Sequence, residues 1–197
     1  MTAKKKKILL VVLLLMLLLR SIDCYVTFLI TPNLDQEWNP LVSFFGHSWR
    51  GLLLAQAALY AIAGYCAYYS LSRNAFASYA SGLSYREFVY FHFNGRIHPA
   101  AEWIKRFFAI PKMDSESLKK HFAFLCFVYA LTFITISLFA IGNNILILSE
   151  VNWYISVVQQ FGSAYILTVY LLSIFINAQV YFYWAYRRYK GNPMLAR

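Results

Sequence analysis

Charge is scarce along this chain, and negative charge is the scarcest. Charged residues make up 13% of the 197 residues, with only 8 acidic residues, whereas 60% of the chain is hydrophobic. Such a composition excludes an ordinary water-soluble domain. The net charge of +10 comes from basic blocks that flank apolar runs and do not form one soluble face, so we expect no nucleic-acid partner.

Cysteine is sparse, and the familiar catalytic motifs are missing. Cys24, Cys66 and Cys126 lie in apolar stretches without a C-x-x-C pattern, which argues against a disulfide framework and predicts buried thiols. The sequence contains no P-loop, G-x-S-x-G, H-E-x-x-H or dinucleotide-binding motif. We therefore expect no cofactor, and nucleotide or hydrolase chemistry has no support in the sequence.

The first apolar run covers residues 8–31 and follows a run of lysines from Lys4 to Lys7. A basic start before an apolar run is typical of a secretory signal. However, no A-x-A-like cleavage site follows, and the apolar pattern resumes after Asp23. Cys24 does not match the cysteine of a lipoprotein signal either, because Asp23 is unsuited to the position directly before that cysteine. These features favour an uncleaved first span.

Three further apolar runs are long enough to cross a membrane. Residues 51–71 contain no charge and match the length needed for a hydrocarbon core of ~30 Å at ~1.5 Å per residue. Between residues 122 and 186 the only charge is Glu150, in a polar interruption that divides this stretch into spans over 122–148 and 156–186. The sequence therefore predicts a single membrane domain over residues 1–197, an all-α four-helix transmembrane bundle.

The basic residues predict the orientation of this bundle. Sixteen of the 18 lysines and arginines fall within residues 4–7, 73–120 and 187–197, which four spans place on one side. The positive-inside rule makes that side cytoplasmic, together with both termini and the connection over residues 72–120.

Within this cytoplasmic connection, the pattern of residues 99–110 predicts an interfacial amphipathic helix, with a protein-docking surface as the alternative. Its apolar face carries Ala100, Trp103, Ile104, Phe107 and Phe108.

Arg20 and Asp23 are charges inside an apolar span, ~18 and ~22 Å from its start at Ile8. An isolated charge in mid-membrane costs roughly 2.5 to 3.5 kcal/mol, so both side chains should point into the bundle. Their spacing of three residues places them on one helical face, where they can neutralise each other. Mutual pairing and a functional polar site are both consistent with this pattern.

Further polar residues extend this candidate site. Thr27 lies one helical turn beyond Asp23, and Glu37 and Asn39 follow in the first outer connection. A cation held by Asp23, Glu37 and His47 would match no dedicated metal motif, so no metal is expected. No side chain is assigned a catalytic role. The candidate polar site comprises Arg20, Asp23, Thr27, Glu37 and Asn39.

Small and amide residues predict how the helices pack. In the second span, small residues recur four apart, which allows a neighbouring helix to approach closely. Asparagines in the later spans predict interhelical hydrogen bonds worth roughly 1 kcal/mol each. The small residues are Gly51, Ala55, Ala57, Ala61, Ala63 and Ala67, and the asparagines are Asn143, Asn144 and Asn177.

The first hairpin resembles a group of small uncharacterised prokaryotic multipass membrane proteins. Their shared pattern is an Asp, a Thr four residues later, and then E-x-N-P-L. Here it is carried by Asp23 and Thr27 and by the stretch from Glu37 through Asn39 to Leu41. The resemblance covers about the first 60 residues and implies a multipass protein of a prokaryotic cytoplasmic membrane.

Two functional hypotheses follow. The first is a non-enzymatic assembly or accessory protein that contacts the lipid bilayer and a second copy of itself or another membrane complex. The second is a small transporter, or an enzyme acting on a lipid-phase substrate, whose site contains Arg20, Asp23 and Glu37. The sequence favours the first, because one charged pair in four spans is little for a transporter without broken helices or repeats.

Overall fold

The computed structural model describes residues 1–34, 42, 48–72, 82–94 and 115–190. The helices within these ranges are α1 (Ala3–Ile30), α2 (Trp49–Ser72), α3 (Tyr85–Asn94), α4 (Ser115–Leu148) and α5 (Asn152–Lys190), and no strand occurs in them. Four of these helices are long and apolar enough to cross a membrane. The protein is an all-α four-helix bundle, as the sequence predicts. The amphipathic helix expected over residues 99–110 lies outside the described residues.

Local sequence explains where α1 begins and ends. The hydroxyl of Thr2 accepts a hydrogen bond from the backbone N–H of Lys5 at 3.4 Å and caps the helix. At the other end, the backbone N–H of Thr31 donates to the carbonyl of Thr27 at 2.9 Å. Pro32 then has no N–H with which to continue the helix. The indole N–H of Trp49 donates to the Pro32 carbonyl at 2.6 Å and ties the start of α2 to the end of α1.

α4 is the central helix, since it packs against α1, α2, α3 and α5. Met16 of α1 shares a buried cluster with Cys126 of α4, and Asp23 lies beside Asn144 further along both helices. α1 and α4 therefore run parallel. α2 runs antiparallel to both and approaches α1 closely at Gly64, where an added Cβ would lie 3.0 Å from a methyl carbon of Leu13.

α5 returns antiparallel to α4. Its residues Tyr165 and Tyr181 contact Phe139 and Phe124 of α4, with ring centroids 5.7 and 4.9 Å apart. Because α1 and α4 are parallel while α2 and α5 run the other way, the start of α1 at Ala3 and the end of α5 at Lys190 lie at one end of the bundle. We call this the basic end, since Lys4–Lys7 and Arg187, Arg188 and Lys190 lie there. The end formed by Ile30, Trp49, Leu148 and Asn152 is called the polar end.

A backbone break divides α5. Gly162 has φ 42° and ψ −119°, a left-handed conformation that residues with a side chain rarely adopt. The part of α5 that is long and apolar enough to cross a membrane is Ala164–Lys190, whereas the sequence placed this span over residues 156–186. Residues 152–161 form a separate helical segment at the polar end.

Aromatic side chains fill the basic end. α3 packs against α4 and α5 there, and its residue Phe88 is fully buried. The backbone N–H of Leu83, just before α3, donates to the hydroxyl of Tyr189 at 2.9 Å. This aromatic cluster consists of Leu83, Phe88, Phe124, Val128, Tyr181, Phe182, Ala185 and Tyr189.

Candidate functional site

Arg20 and Asp23 form an ion pair inside the bundle. An N–H of the Arg20 guanidinium (Nη1) donates to a carboxylate oxygen of Asp23 at 2.7 Å, and the two side chains are only 14% and 11% exposed. The guanidinium carbon also lies 4.7 Å from the ring centroid of Phe133 on α4. The three-residue spacing on one helical face therefore produces the pairing expected from the sequence.

Asn144 connects this pair to α4. Its side-chain N–H group donates to Thr27 Oγ1 at 3.0 Å and to the second carboxylate oxygen of Asp23 at 3.4 Å. Asp23 and Thr27 are both buried residues, so these bonds are largely shielded from solvent. Both oxygens of Asp23 thus have a donor, one from α1 and one from α4.

The hydrogen bonds continue from α4 to α5. The amide N–H group of Asn143 donates to the Asn144 side-chain oxygen at 3.1 Å, and the Tyr154 hydroxyl donates to the Asn143 oxygen at 2.6 Å. Tyr154 also bonds with the hydroxyl of Tyr165 at 3.2 Å, across the break at Gly162. This polar network therefore links α1, α4 and both parts of α5.

The network borders a cavity of about 340 Å³ at the polar end of the bundle. All four spanning helices contribute to its lining, with Gln56 from α2 and Gln159 and Tyr170 from α5 adding polar groups to those already named. Cys24 also lines the cavity and is half-buried, whereas Cys66 and Cys126 are buried elsewhere and no disulfide forms. The apolar lining includes Leu52, Leu59, Ile136, Phe139 and Ile155.

Two buried polar atoms of the cavity lining have no hydrogen-bond partner among the described residues. They are the Nε atom of Arg20 and the Oε1 atom of Gln56. Gln56 is 8% exposed. A buried polar atom without a partner costs roughly 1 to 3 kcal/mol, and most such atoms in native structures are bonded to protein, water or ligand. Both atoms are enclosed by surrounding side chains and have almost no exposed surface.

The structure places three of the five sequence-predicted site residues at this cavity. Arg20, Asp23 and Thr27 all line it. Glu37 and Asn39 lie outside the described residues, so their positions relative to the cavity are not described. No group of three or more histidine, cysteine or acidic side chains suited to a metal comes together in the described part of the chain.

Sequence reasoning missed Gln56 as a site residue and treated Asn143 and Asn144 only as packing groups. Helix depth was the available signal for the asparagines. Asp23 lies seven residues before the end of α1, and Asn144 lies four before the end of α4. At ~1.5 Å per residue, both lie within about 10 Å of the polar end, where parallel helices bring them side by side.

The arrangement is better suited to binding than to acid–base chemistry. The described cavity lining contains no histidine, and its one carboxylate is already held by Arg20 and Asn144. No protein-family model, curated protein or solved structure matches the chain. The four spanning helices indicate an integral membrane protein by length and composition, and the resemblance of the first hairpin stays a prediction.

Proposed function

We propose that this integral membrane protein binds a small amphiphile, taken from the lipid phase, in the polar cavity. One observation carries the proposal. The cavity is lined by the largely buried ion pair of Arg20 and Asp23 and by the side-chain amides of Gln56 and Asn144, within otherwise apolar walls. A ligand that combines a polar group with an apolar part would match this lining.

The cavity has the properties of a ligand site. Pockets for small molecules typically measure ~300 to 1,000 Å³ and combine apolar walls with a few polar groups, and the volume of about 340 Å³ lies at the lower end of that range. Polar and charged groups in membrane spans are costly, and they commonly mark substrate pathways.

A purely structural ion pair would need less space. Asp23 neutralises Arg20 through one short hydrogen bond along α1, and this contact requires no cavity beside it. Well-packed interiors contain few voids larger than a water molecule. The cavity therefore favours a functional polar site over mutual pairing of Arg20 and Asp23 alone, with Asn144 and Gln56 in the binding site.

The experiment is to identify what co-purifies with the protein in mild detergent, by native mass spectrometry followed by lipid extraction. The wild-type protein should retain a small molecule at about one copy per chain. Ala140→Phe, which adds a phenyl ring to the cavity lining from α4, should lose it.

Ala57→Phe is the matched control, because Ala57 lies on the exposed surface of α2. This variant should retain the molecule. If the wild type carries no bound molecule, or if both variants retain it equally, the proposal is wrong.

In the membrane, both chain ends lie on the cytoplasmic side and the cavity lies nearer the outer side. The support is the concentration of basic residues at one end of the bundle, which the positive-inside rule assigns to the cytoplasm. Reporter fusions at residue 1 and residue 197 should both report a cytoplasmic location. Opposite locations would contradict this topology.

Self-assembly is a second candidate function. Ala63 and Ala67 face the bundle interior, but Ala57 and Ala61 lie four residues apart on the exposed face of α2. Such small-residue pairs let two helices approach closely within a membrane. Cysteine substitutions at Ala57 and Ala61 should form dimers on mild oxidation. Equal dimer yields from a cysteine at exposed Leu171 on α5 would argue against this surface.

A further inference from the structure

We infer that the basic end of the bundle binds the headgroup of an anionic phospholipid, with Arg188 near the end of α5 as the main contact. This lipid is separate from the ligand of the polar cavity and occupies the opposite end of the protein. The inference follows from the charge of the basic end, from the rings that position its cations, and from the exposure of those rings.

The basic end has a large excess of positive charge. The three basic ranges of the sequence contain 16 of its lysines and arginines but only four acidic residues. Arg187, Arg188 and Lys190 are exposed in the last turn of α5 and form no ion pair within the described part of the chain. Their charge is therefore available to an anion.

Aromatic rings position these cations. The guanidinium carbon of Arg188 lies 4.1 Å from the ring centroid of Trp184, one helical turn earlier. Phe127 of α4 stacks with the same Trp184 ring, with centroids 5.9 Å apart and an interplanar angle of 19°. Packing between α4 and α5 thus orients Arg188 before any ligand binds, which lowers the entropy cost of binding. The other two cations also lie over rings one turn earlier, Arg187 over Tyr183 at 5.8 Å and Lys190 over Tyr186 at 5.4 Å.

The arrangement suits a phosphate group. Stacking on a ring uses the face of a guanidinium, whereas its N–H donors lie in the guanidinium plane and can bind two phosphate oxygens at once. Clusters of lysine and arginine directly beside a spanning helix are typical of anionic-lipid recognition. Arg188 can therefore bind the lipid phosphate while Arg187 and Lys190 add favourable charge.

The exposed rings favour a lipid over a nucleic acid as the source of that phosphate. Tyr183 and Trp184 are 58% and 37% exposed on a helix that is long and apolar enough to cross a membrane. Amphipathic rings at the end of such a helix lie at the headgroup level of a bilayer. A cation one turn beyond them lies at the depth of the lipid phosphates, whereas a nucleic acid remains in the water.

The test is native mass spectrometry of the full chain in non-ionic detergent, supplied with equal amounts of phosphatidylglycerol and phosphatidylcholine that have the same acyl chains. The wild type should retain phosphatidylglycerol roughly tenfold more than phosphatidylcholine, because only the former carries a net negative charge. Raising ammonium acetate from about 0.05 M to about 0.5 M should reduce this preference, since salt screens exposed charges.

Two substitutions test the charge and its positioning separately. Arg188→Gln should lower the preference about fivefold, whereas Arg50→Gln, which removes an exposed arginine at the polar end, should leave it unchanged. Trp184→Leu keeps every charge but removes the ring beneath Arg188, so the preference should fall about two- to fivefold. Trp184→Phe should restore most of it. Trp153→Leu, which removes an exposed ring at the polar end, should have no effect.

Several outcomes would overturn the inference. Equal retention of the two lipids by the wild type, a preference that survives Arg188→Gln, or an equal loss in Arg50→Gln would each show that Arg188 does not select an anionic lipid. Binding of a short single-stranded DNA that depends on Arg188, without a preference for phosphatidylglycerol, would identify a nucleic acid as the partner instead.

Ala140→Phe separates this inference from the proposed function. The substitution changes the lining of the cavity at the polar end, so the preference for phosphatidylglycerol should persist when the cavity ligand is lost. A preference that disappears in Ala140→Phe but survives Arg188→Gln would place the anionic lipid in the cavity. That result would overturn the inference and leave the proposed function standing.

Discussion

The two ends of the bundle bury their side chains in different ways. At the basic end, rings from α3, α4 and α5 pack directly on one another, as in the contact between Phe124 and Tyr181 with centroids 4.9 Å apart. At the polar end, a hydrogen-bond network surrounds a cavity of about 340 Å³. The two helices α4 and α5 thus take part in a dense core at one end and line a cavity at the other.

This difference indicates that the two ends have separate roles. Close aromatic packing stabilises the fold through buried area and favourable ring geometry. Buried charges beside a cavity instead cost free energy unless every group has a partner. Substitutions at the polar end should therefore change ligand binding together with stability. Substitutions in the aromatic cluster at the basic end should change stability or α3 docking and leave the cavity ligand bound.

The largest expected effect is that of Asp23→Leu. The substitution leaves Arg20 buried without its counter-ion, which should lower the free energy of unfolding by about 3 to 5 kcal/mol. Unfolding in mixed detergent micelles, followed by circular dichroism, measures this change. The cavity ligand should be lost at the same time.

The double variant Arg20→Met with Asp23→Leu is the control for that prediction. It removes both charges, so most of the stability should return while the ligand remains absent. If the double variant is as unstable as Asp23→Leu, the loss of stability comes from changed packing and not from the unpaired charge of Arg20. One that still binds ligand would place the binding groups elsewhere.

Phe88→Ala tests the basic end in the opposite way. Phe88 is fully buried between Tyr186 and Tyr189, with ring centroids 5.5 and 5.3 Å away. Losing it should weaken the docking of α3 by about 3 kcal/mol and accelerate hydrogen exchange over residues 85–94. Retention of the ligand in mild detergent should not change. Arg86→Ala, on the exposed face of α3, should leave the exchange rates unaltered.

Asn144→Leu should have a smaller effect at the polar end. It removes the hydrogen bonds to Asp23 and Thr27 but keeps the ion pair on α1. The free energy of unfolding should fall by about 1 to 2 kcal/mol, measured as for Asp23→Leu. Ser156→Ala removes a hydroxyl bonded only within its own helix and should cost much less. Equal effects would show that the interhelical bonds add little.

Much of the fold could be predicted because hydrocarbon imposes simple rules on sequence. Long apolar runs predicted four spanning helices, and α1, α2, α4 and Ala164–Lys190 provide them. The break at Gly162 was not predicted, because its left-handed backbone depends on how residues 152–161 return over the bundle end. The spacing of apolar residues in the sequence does not predict the path of residues 152–161.

The candidate site was only partly predictable for a similar reason. Arg20 and Asp23 stand out because charge is rare in an apolar span, and their spacing predicted the pairing along one helix. Gln56 does not stand out, since a single amide in α2 is compatible with any helix contact. Its role depends on which helices surround the cavity, and this is a property of tertiary packing.

The smallest expected effect concerns the pH dependence of α3 docking. Burial, together with the nearby positive charges of His121 and Lys120, lowers the pKa of His92 from its usual 6.5 to about 3. The docked helix therefore holds His92 neutral, whereas an undocked helix takes up a proton below about pH 6.5. Docking should be strongest above that pH and should weaken as the pH falls towards 3.

Between pH 7.5 and 5.5 the loss should be about 1 kcal/mol, because the undocked state gains a proton over that interval and the docked state does not. Hydrogen exchange over residues 85–94, corrected for the intrinsic pH dependence of exchange, measures this change. His92→Phe retains a ring among Phe124, Tyr181 and Phe182 but cannot titrate, so it should abolish the dependence. A dependence that persists in His92→Phe and disappears in His121→Phe would instead assign it to His121. In both cases retention of the ligand should not respond to the protonation of His92, because the histidine packs against Phe124, Tyr181 and Phe182 and does not line the cavity.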